Sequence, residues 1–290
     1  MKVPRMVWVL GVVALAPTSG THAWHAQGHR ITTHEAVTLL SEELPRFLQA
    51  GREQMASDSV DPDLMRHRDL PQLRDREAPD HYLDLELLPL GVLPDARSEF
   101  LPYLASREVY LEVEDVGTLP YAVVEATQRL TLAFAQVRNQ PKNEHLQAKA
   151  MLFAAYLAHY AEDLCQPLHT TIHHDGRALE DHSSPHTGIH HRVDALIERL
   201  KPQEFGEDGL FEPRALKPIF PAVFEELKRS HSHVERVYRL VADLEALEGG
   251  AQPSAELRAL TEESYRAAVR FTANLILTAW RDSADLRLTD

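Results

Sequence analysis

An all-α fold is what the sequence predicts, a single multi-helix domain assembled around a buried central helix. Three observations lead to it. Apolar residues recur at helical spacing through most of the chain, and no alternating strand series interrupts them. Residues Ala150 to Ala161 are apolar on nearly every side, as in a helix enclosed at a domain's centre. With 290 residues, 44% hydrophobic and 26% charged, the chain is long enough for a sizeable core, and a disordered or fibrous class is excluded.

The first element is not part of the fold. Lys2 and Arg5 form a basic start, Met6 to Ala16 is apolar, and Thr21-His22-Ala23 ends on a small residue. Residues 1–23 therefore read as a secretory signal peptide, since the apolar run falls well short of the roughly 20 residues of a bilayer span. Cleavage after Ala23 makes Trp24 the new N-terminus and begins the domain, 24–290. It also removes two basic residues and moves the formal charge from −14 to −16. Thr32-x-x-Glu35 has the form of a capping box, so a helix is expected to start near Thr32 and run toward Pro45. Gly51 to Pro102, rich in Pro, Asp and Arg, reads as a long loop region. Tyr121 to Val137 and Glu144 to Cys165 read as helices, Thr170 to Gly188 as a polar loop, and His190 to Leu200 as a short helix. Val234, Val237, Val241, Leu244 and Leu247 keep helical spacing until Gly249-Gly250 stops them. Leu257 to Ala279 marks a long final helix, whose Arg266 and Arg270 argue against membrane insertion.

The chemistry starts on the apolar helix. His159 and Asp163 are four apart, hence on one face, and at the end of such a helix both need partners. Pro167 turns the chain and presents His169 beside them; a second His-x-x-x-Asp, His190 to Asp194, follows. Imidazole and carboxylate in this combination are the usual ligands of zinc. One such pair is weak evidence, and two in succession are much stronger.

The string His159-Tyr160-Ala161-Glu162-Asp163-Leu164-Cys165-Gln166-Pro167-Leu168-His169 resembles the signature helix of a zinc enzyme superfamily. That superfamily joins single-strand-specific three-zinc nucleases with bacterial zinc-dependent phospholipases C. The likeness continues in order through Trp24-x-x-x-Gly28-His29, Asp63-x-x-Arg66, His81-Tyr82-x-Asp84 and Gly188-Ile189-His190 with Asp194. The resemblance implies three zinc ions. Asp63, His81, His159 and Asp163 would hold one; Asp163 would bridge to a second, completed by His29 and by the amine and carbonyl of Trp24; His169, His190 and Asp194 would hold the third. Asp61 is the rival to Asp63, which keeps the spacing to Arg66. Secretion then matters chemically, because Trp24 has a free amine only after cleavage. The resemblance also assigns catalysis to Asp63, Asp163 and Arg66, the last as the partner of the phosphate, against the alternative of a surface salt bridge. Tyr82 would stack on a base and Asp84 would accept its N–H groups, against a core tyrosine and a solvated aspartate.

These residues imply a secreted or periplasmic phosphodiester hydrolase. The first expectation is a nuclease acting on single-stranded nucleic acid, of endonuclease or 3′-nucleotidase type. The alternatives are a phospholipase C cleaving phospholipid head groups and a zinc-binding protein without catalysis. No stable protein partner is implied, and no transmembrane segment is expected in the mature chain. The acidic balance disfavours long contact with duplex DNA, yet three dications outweigh three aspartates and leave the centre able to receive a phosphodiester. Among the 17 histidines, His173, His174, His182 and His186 read as solvated loop residues, and His191 points about 100° away from His190. His25, His34, His67, His145, His231 and His233 match nothing. Cys165, the one cysteine, reads as a small buried hydrophobe.

Overall fold

The computed structural model describes residues 25–40, 42–88, 93–106, 111–202 and 211–288. The expected leader, 1–23, and Trp24 with its proposed metal role lie outside these residues. No strand forms among the described residues; Leu83 and Gly117 make one isolated antiparallel bridge. The fold is all-α. None of its described helices is long and apolar enough to cross a membrane.

Helix α1 covers Ala26–Thr38. It starts earlier than the sequence suggested and ends short of Pro45, and Thr32 is not its cap. The Thr32 hydroxyl donates to the Gly28 carbonyl at 2.9 Å inside the helix, a local bond that competes with capping. Gly51 to Pro102 is not a long loop either. After α2 (Arg46–Ala50), it folds into short helices α3 (Arg52–Asp58), α4 (Asp61–Met65), α5 (Pro71–Glu77) and the start of α6 (Arg97–Ala105), with 3-10 turns at Ala78–His81 and Leu85–Leu87. The prolines that suggested a loop instead open these elements: Pro62, Pro71 and Pro79 sit in first turns, where a missing N–H costs nothing. Segments this short show no sustained period.

After α7 (Val113–Val116) come the two longest central helices, α8 (Leu119–Asn139) and α9 (Glu144–Leu164), each within two residues of its sequence expectation. The Asn143 side chain caps α9, accepting from His145 N at 3.1 Å. A 3-10 turn at Pro167–Thr170 and the loop to Gly188 lead to α10 (Ile189–Asp194) and α11 (Leu196–Leu200), which divide the expected single helix. Helix α12 (Ile219–His231) has no counterpart in the sequence reading. The valine and leucine series is broken at Leu240 into α13 (Val234–Arg239) and α14 (Val241–Glu248). The final helix, α15 (Ala255–Asp282), is capped by Ser254, whose hydroxyl accepts from Leu257 N at 3.1 Å.

Helix α9 packs against α1, α3, α8 and α15. Every residue from Leu157 to Leu164 is buried, so its C-terminal half is fully enclosed and polar side chains there are costly. A smaller apolar cluster joins Leu168, Ile189, Val193 and Leu196 to Val237, Leu244, Leu257 and Leu260, so α15 ties both cores together.

The segment carrying His81 and Tyr82 is strapped to residues 116–119. Thr118 N donates to Pro79 O at 2.6 Å, Asp84 N to Val116 O at 2.8 Å, and Leu119 N to Tyr82 O at 3.1 Å. Gly117 makes this approach possible: its φ is +82°, and a Cβ there would overlap the Tyr82 carbonyl oxygen. Gly117→Ala is therefore expected to destabilise the protein by about 1–3 kcal/mol. An unchanged urea midpoint would show that the strap is not needed.

Candidate metal centre

Six elements bring their polar groups to one place beneath a surface cleft. His29 comes from α1, Asp63 from α4, His81 from the end of its 3-10 turn, His159 and Asp163 from α9, and His169 from the turn that Pro167 starts. His190 and Asp194 come from α10. All are buried. Among the described residues, three sets of would-be ligand atoms each lie within 4.8 Å of one another: His29 with Asp63 and His159, His81 with His159 and Asp163, and His169 with His190 and Asp194. His159 is common to the first two, so these merge into one group. Asp63, not Asp61, belongs to it; Asp61 instead accepts from the Tyr156 hydroxyl at 3.4 Å.

Asp163 stands between the histidines. Its Oδ1 is 3.4 Å from His29 Nε2 and its Oδ2 is 3.4 Å from His159 Nε2. Neither oxygen makes a well-formed hydrogen bond, nor does Nε2 of His81 or His159, nor Oδ2 of Asp194, and all are fully enclosed. Buried groups of this kind are rarely left so. Each ring is held from behind by its other nitrogen. His81 Nδ1 donates to Glu77 O at 3.0 Å, His159 Nδ1 to Ser59 O at 2.8 Å, and His169 Nδ1 to His81 O at 2.5 Å. A carbonyl only accepts, so these rings carry their proton on Nδ1 and turn a lone pair at Nε2 inward. His29 Nδ1 donates to the Glu162 carboxylate at 2.7 Å. In the third set, His169 Nε2 and His190 Nε2 face each other at 3.1 Å, with Asp194 Oδ2 at 3.4 Å from the latter. Gln166 Nε2 donates to Asp194 Oδ1 at 2.6 Å, leaving the other oxygen for the set. Orphaned acceptors facing one another, with fixed tautomers behind them, are what divalent cations require. The residues fit such ions, and the buried His/Asp groups could hold them.

The electrostatics agree. Burial drives His81, His159 and His190 well below the ordinary imidazole value, and His169 to about 3, so these rings are neutral. His29 departs from them. Burial opposes its charged form too, but the close Asp163 carboxylate on one side and the hydrogen-bonded Glu162 carboxylate on the other outweigh this and lift it to about 10. Burial raises the Asp163 carboxyl to about 7 and that of Asp194 well above its usual range. With a cation present, every ligating ring must instead be neutral, and free histidine titrates near 6.5. Dialysed at decreasing pH, the metal-loaded protein is expected to shed its ions below about pH 5–6, because proton uptake by the ligands favours the metal-free form. Full retention near pH 4 would contradict imidazole ligation.

Above the centre lies a cleft of about 670 Å³ onto which Arg66, His81, Tyr82, Asp84, His169 and His190 open. Arg66 Nη1 lies 3.2 Å from Asp63 Oδ1, so it is both ion-paired and in the cleft. Tyr82 is half-buried, and its hydroxyl donates to Glu114 O at 2.6 Å. Asp84 is buried and pushed well above the usual carboxyl range by burial and by Glu86. His174, His182 and His186 also line the cleft but join none of the three sets. His191 faces away and meets His25, Nε2 of the latter at 3.0 Å from its Nδ1.

Sequence reasoning missed the supporting groups. Glu162, Gln166 and Asp175, which accepts from His190 N at 3.3 Å, touch would-be ligands without being any. Only Glu162 carried a signal, an acid on an otherwise apolar helix next to Asp163. The chain matches no protein-family model and no curated protein.

Proposed function

We propose that the chain is a secreted zinc-dependent phosphodiester hydrolase that prefers single-stranded nucleic acid, its mature form beginning at Trp24. One observation carries this: five histidines and three aspartates converge under a cleft with four ring tautomers set from behind. When bound, closely spaced zinc ions supply an activated water and neutralise charge on the phosphoryl oxygens. The surrounding residues have separate tasks. Arg66 reaches the cleft with a guanidinium suited to a phosphate oxygen and is steadied by Asp63. Tyr82 offers an aromatic face on the cleft wall, and a base stacked there would gain ~1–3 kcal/mol. The buried Asp84 carboxylate favours a ligand that brings N–H donors, since a donor offsets the cost of enclosing it.

A second reading, hydrolysis of phospholipid head groups, is favoured by one feature. Leu64, Leu70 and Leu73, close in sequence to Arg66, are 59%, 52% and 41% exposed, and Leu179 is 55% exposed on the loop that supplies Asp181 and His182 to the cleft. Exposed leucines on segments that also supply cleft residues suit acyl chains. A substrate panel separates the two. The zinc-loaded mature protein is expected to cleave single-stranded DNA and RNA in preference to duplex and to short-chain phosphatidylcholine. Tyr82→Ala should raise KM on oligonucleotides at least several-fold, with a smaller effect on bis(p-nitrophenyl) phosphate. Efficient turnover of phosphatidylcholine with nucleic acid untouched would give the site to the phospholipid.

A further inference from the structure

His81, His159 and His169 are each backed by a neutral backbone carbonyl, and His29 alone is backed by a carboxylate. That carboxylate, Glu162, is fully buried beside Asp163 on α9. Both of its oxygens are used by α1: Oε2 accepts from His29 Nδ1 at 2.7 Å and Oε1 from the Thr33 hydroxyl at 2.8 Å. His29 and Thr33 are four apart, so one face of α1 clamps the carboxylate at both ends. Glu162 belongs to none of the convergent sets, because it lies on the Nδ1 side of the ring, away from Asp163.

We propose that Glu162 is the positioning residue of His29 and makes the His29 end of the centre its strongest donor. On the metal-centre reading above, charge and geometry both favour this role. A carboxylate behind an imidazole fixes the proton on Nδ1, holds the ring plane, and pushes electron density toward Nε2 more than a carbonyl does. The ion that His29 would share with Asp163 therefore feels two carboxylates, one directly and one through the ring. Thr33 completes the device by keeping the Glu162 carboxylate from rotating.

The test is competitive titration of the mature protein with Zn²⁺ against a chelating dye, comparing wild type with Glu162→Ala and Glu162→Gln. In wild type the full set of ions should bind. Glu162→Ala should weaken one equivalent by about 10–100-fold and leave the others as tight as before. Glu162→Gln, whose amide oxygen can still accept from His29, should fall between the two and keeps the test valid if the alanine variant does not fold. The His29 Nδ1–H resonance, protected in zinc-loaded wild type, should exchange faster with solvent in Glu162→Ala. Equal affinities for every equivalent in both variants would overturn the role of Glu162, as would a loss of all equivalents together in a folded variant. A wild-type protein that binds no Zn²⁺ would overturn the metal centre itself, and this inference with it.

Discussion

Replacing Asp163 with alanine is expected to remove two zinc ions per chain and to lower turnover by more than about 100-fold, above what losing a supporting partner costs. One of its oxygens faces His29 and the other faces His159, each at 3.4 Å, so the carboxylate joins two parts of the centre. His190→Ala is expected to lose a single ion, since His190 converges only with His169 and Asp194. Elemental analysis of folded variants separates the cases. Two ions retained in Asp163→Ala, or a single zinc in well-folded wild type, would sink the bridging role.

Removing the metal should also destabilise the fold. Without a cation Asp63, Asp163 and Asp194 remain enclosed, and burial already drives the latter two carboxyls above their usual range. A buried charge that loses its partner is costly. Ligand present at one hundred times its Kd stabilises by about 2.7 kcal/mol for each site. At ~2–4 °C per kcal/mol for a large domain, chelation should lower Tm by at least about 5–10 °C. Re-addition of zinc should restore both Tm and activity. The position of the centre makes the effect global, because α9 packs on α1, α3, α8 and α15. An unchanged Tm after complete metal removal would mean that the buried groups satisfy one another.

Much of this centre was legible in the chain. The apolar run from Ala150 to Ala161 identified the enclosed helix, and period-four spacing put His159 and Asp163 on one face of it; both follow from local helix geometry. Pro167 marked where that helix had to end and brought His169 into reach. The all-α class followed from the same periodicity.

Other features had no local signature. The short helices between residues 46 and 105 were hidden because proline reads as a breaker, whether it ends a helix or begins one. Thr32 had the spacing of a cap yet lies inside α1, which begins at Ala26 and packs on α3 and α15. The backing of each ring was beyond sequence as well: Ser59 O reaches His159 across 100 residues, and His81 O reaches His169 across 88. The sequence by itself determined which side chains are chemically able to bind cations and which helix must be buried. Only the tertiary structure decided how those side chains face one another and which proton each ring keeps. Residue type and periodicity are properties of the local chain, whereas tautomer, burial and charge depend on groups that meet only when distant segments pack.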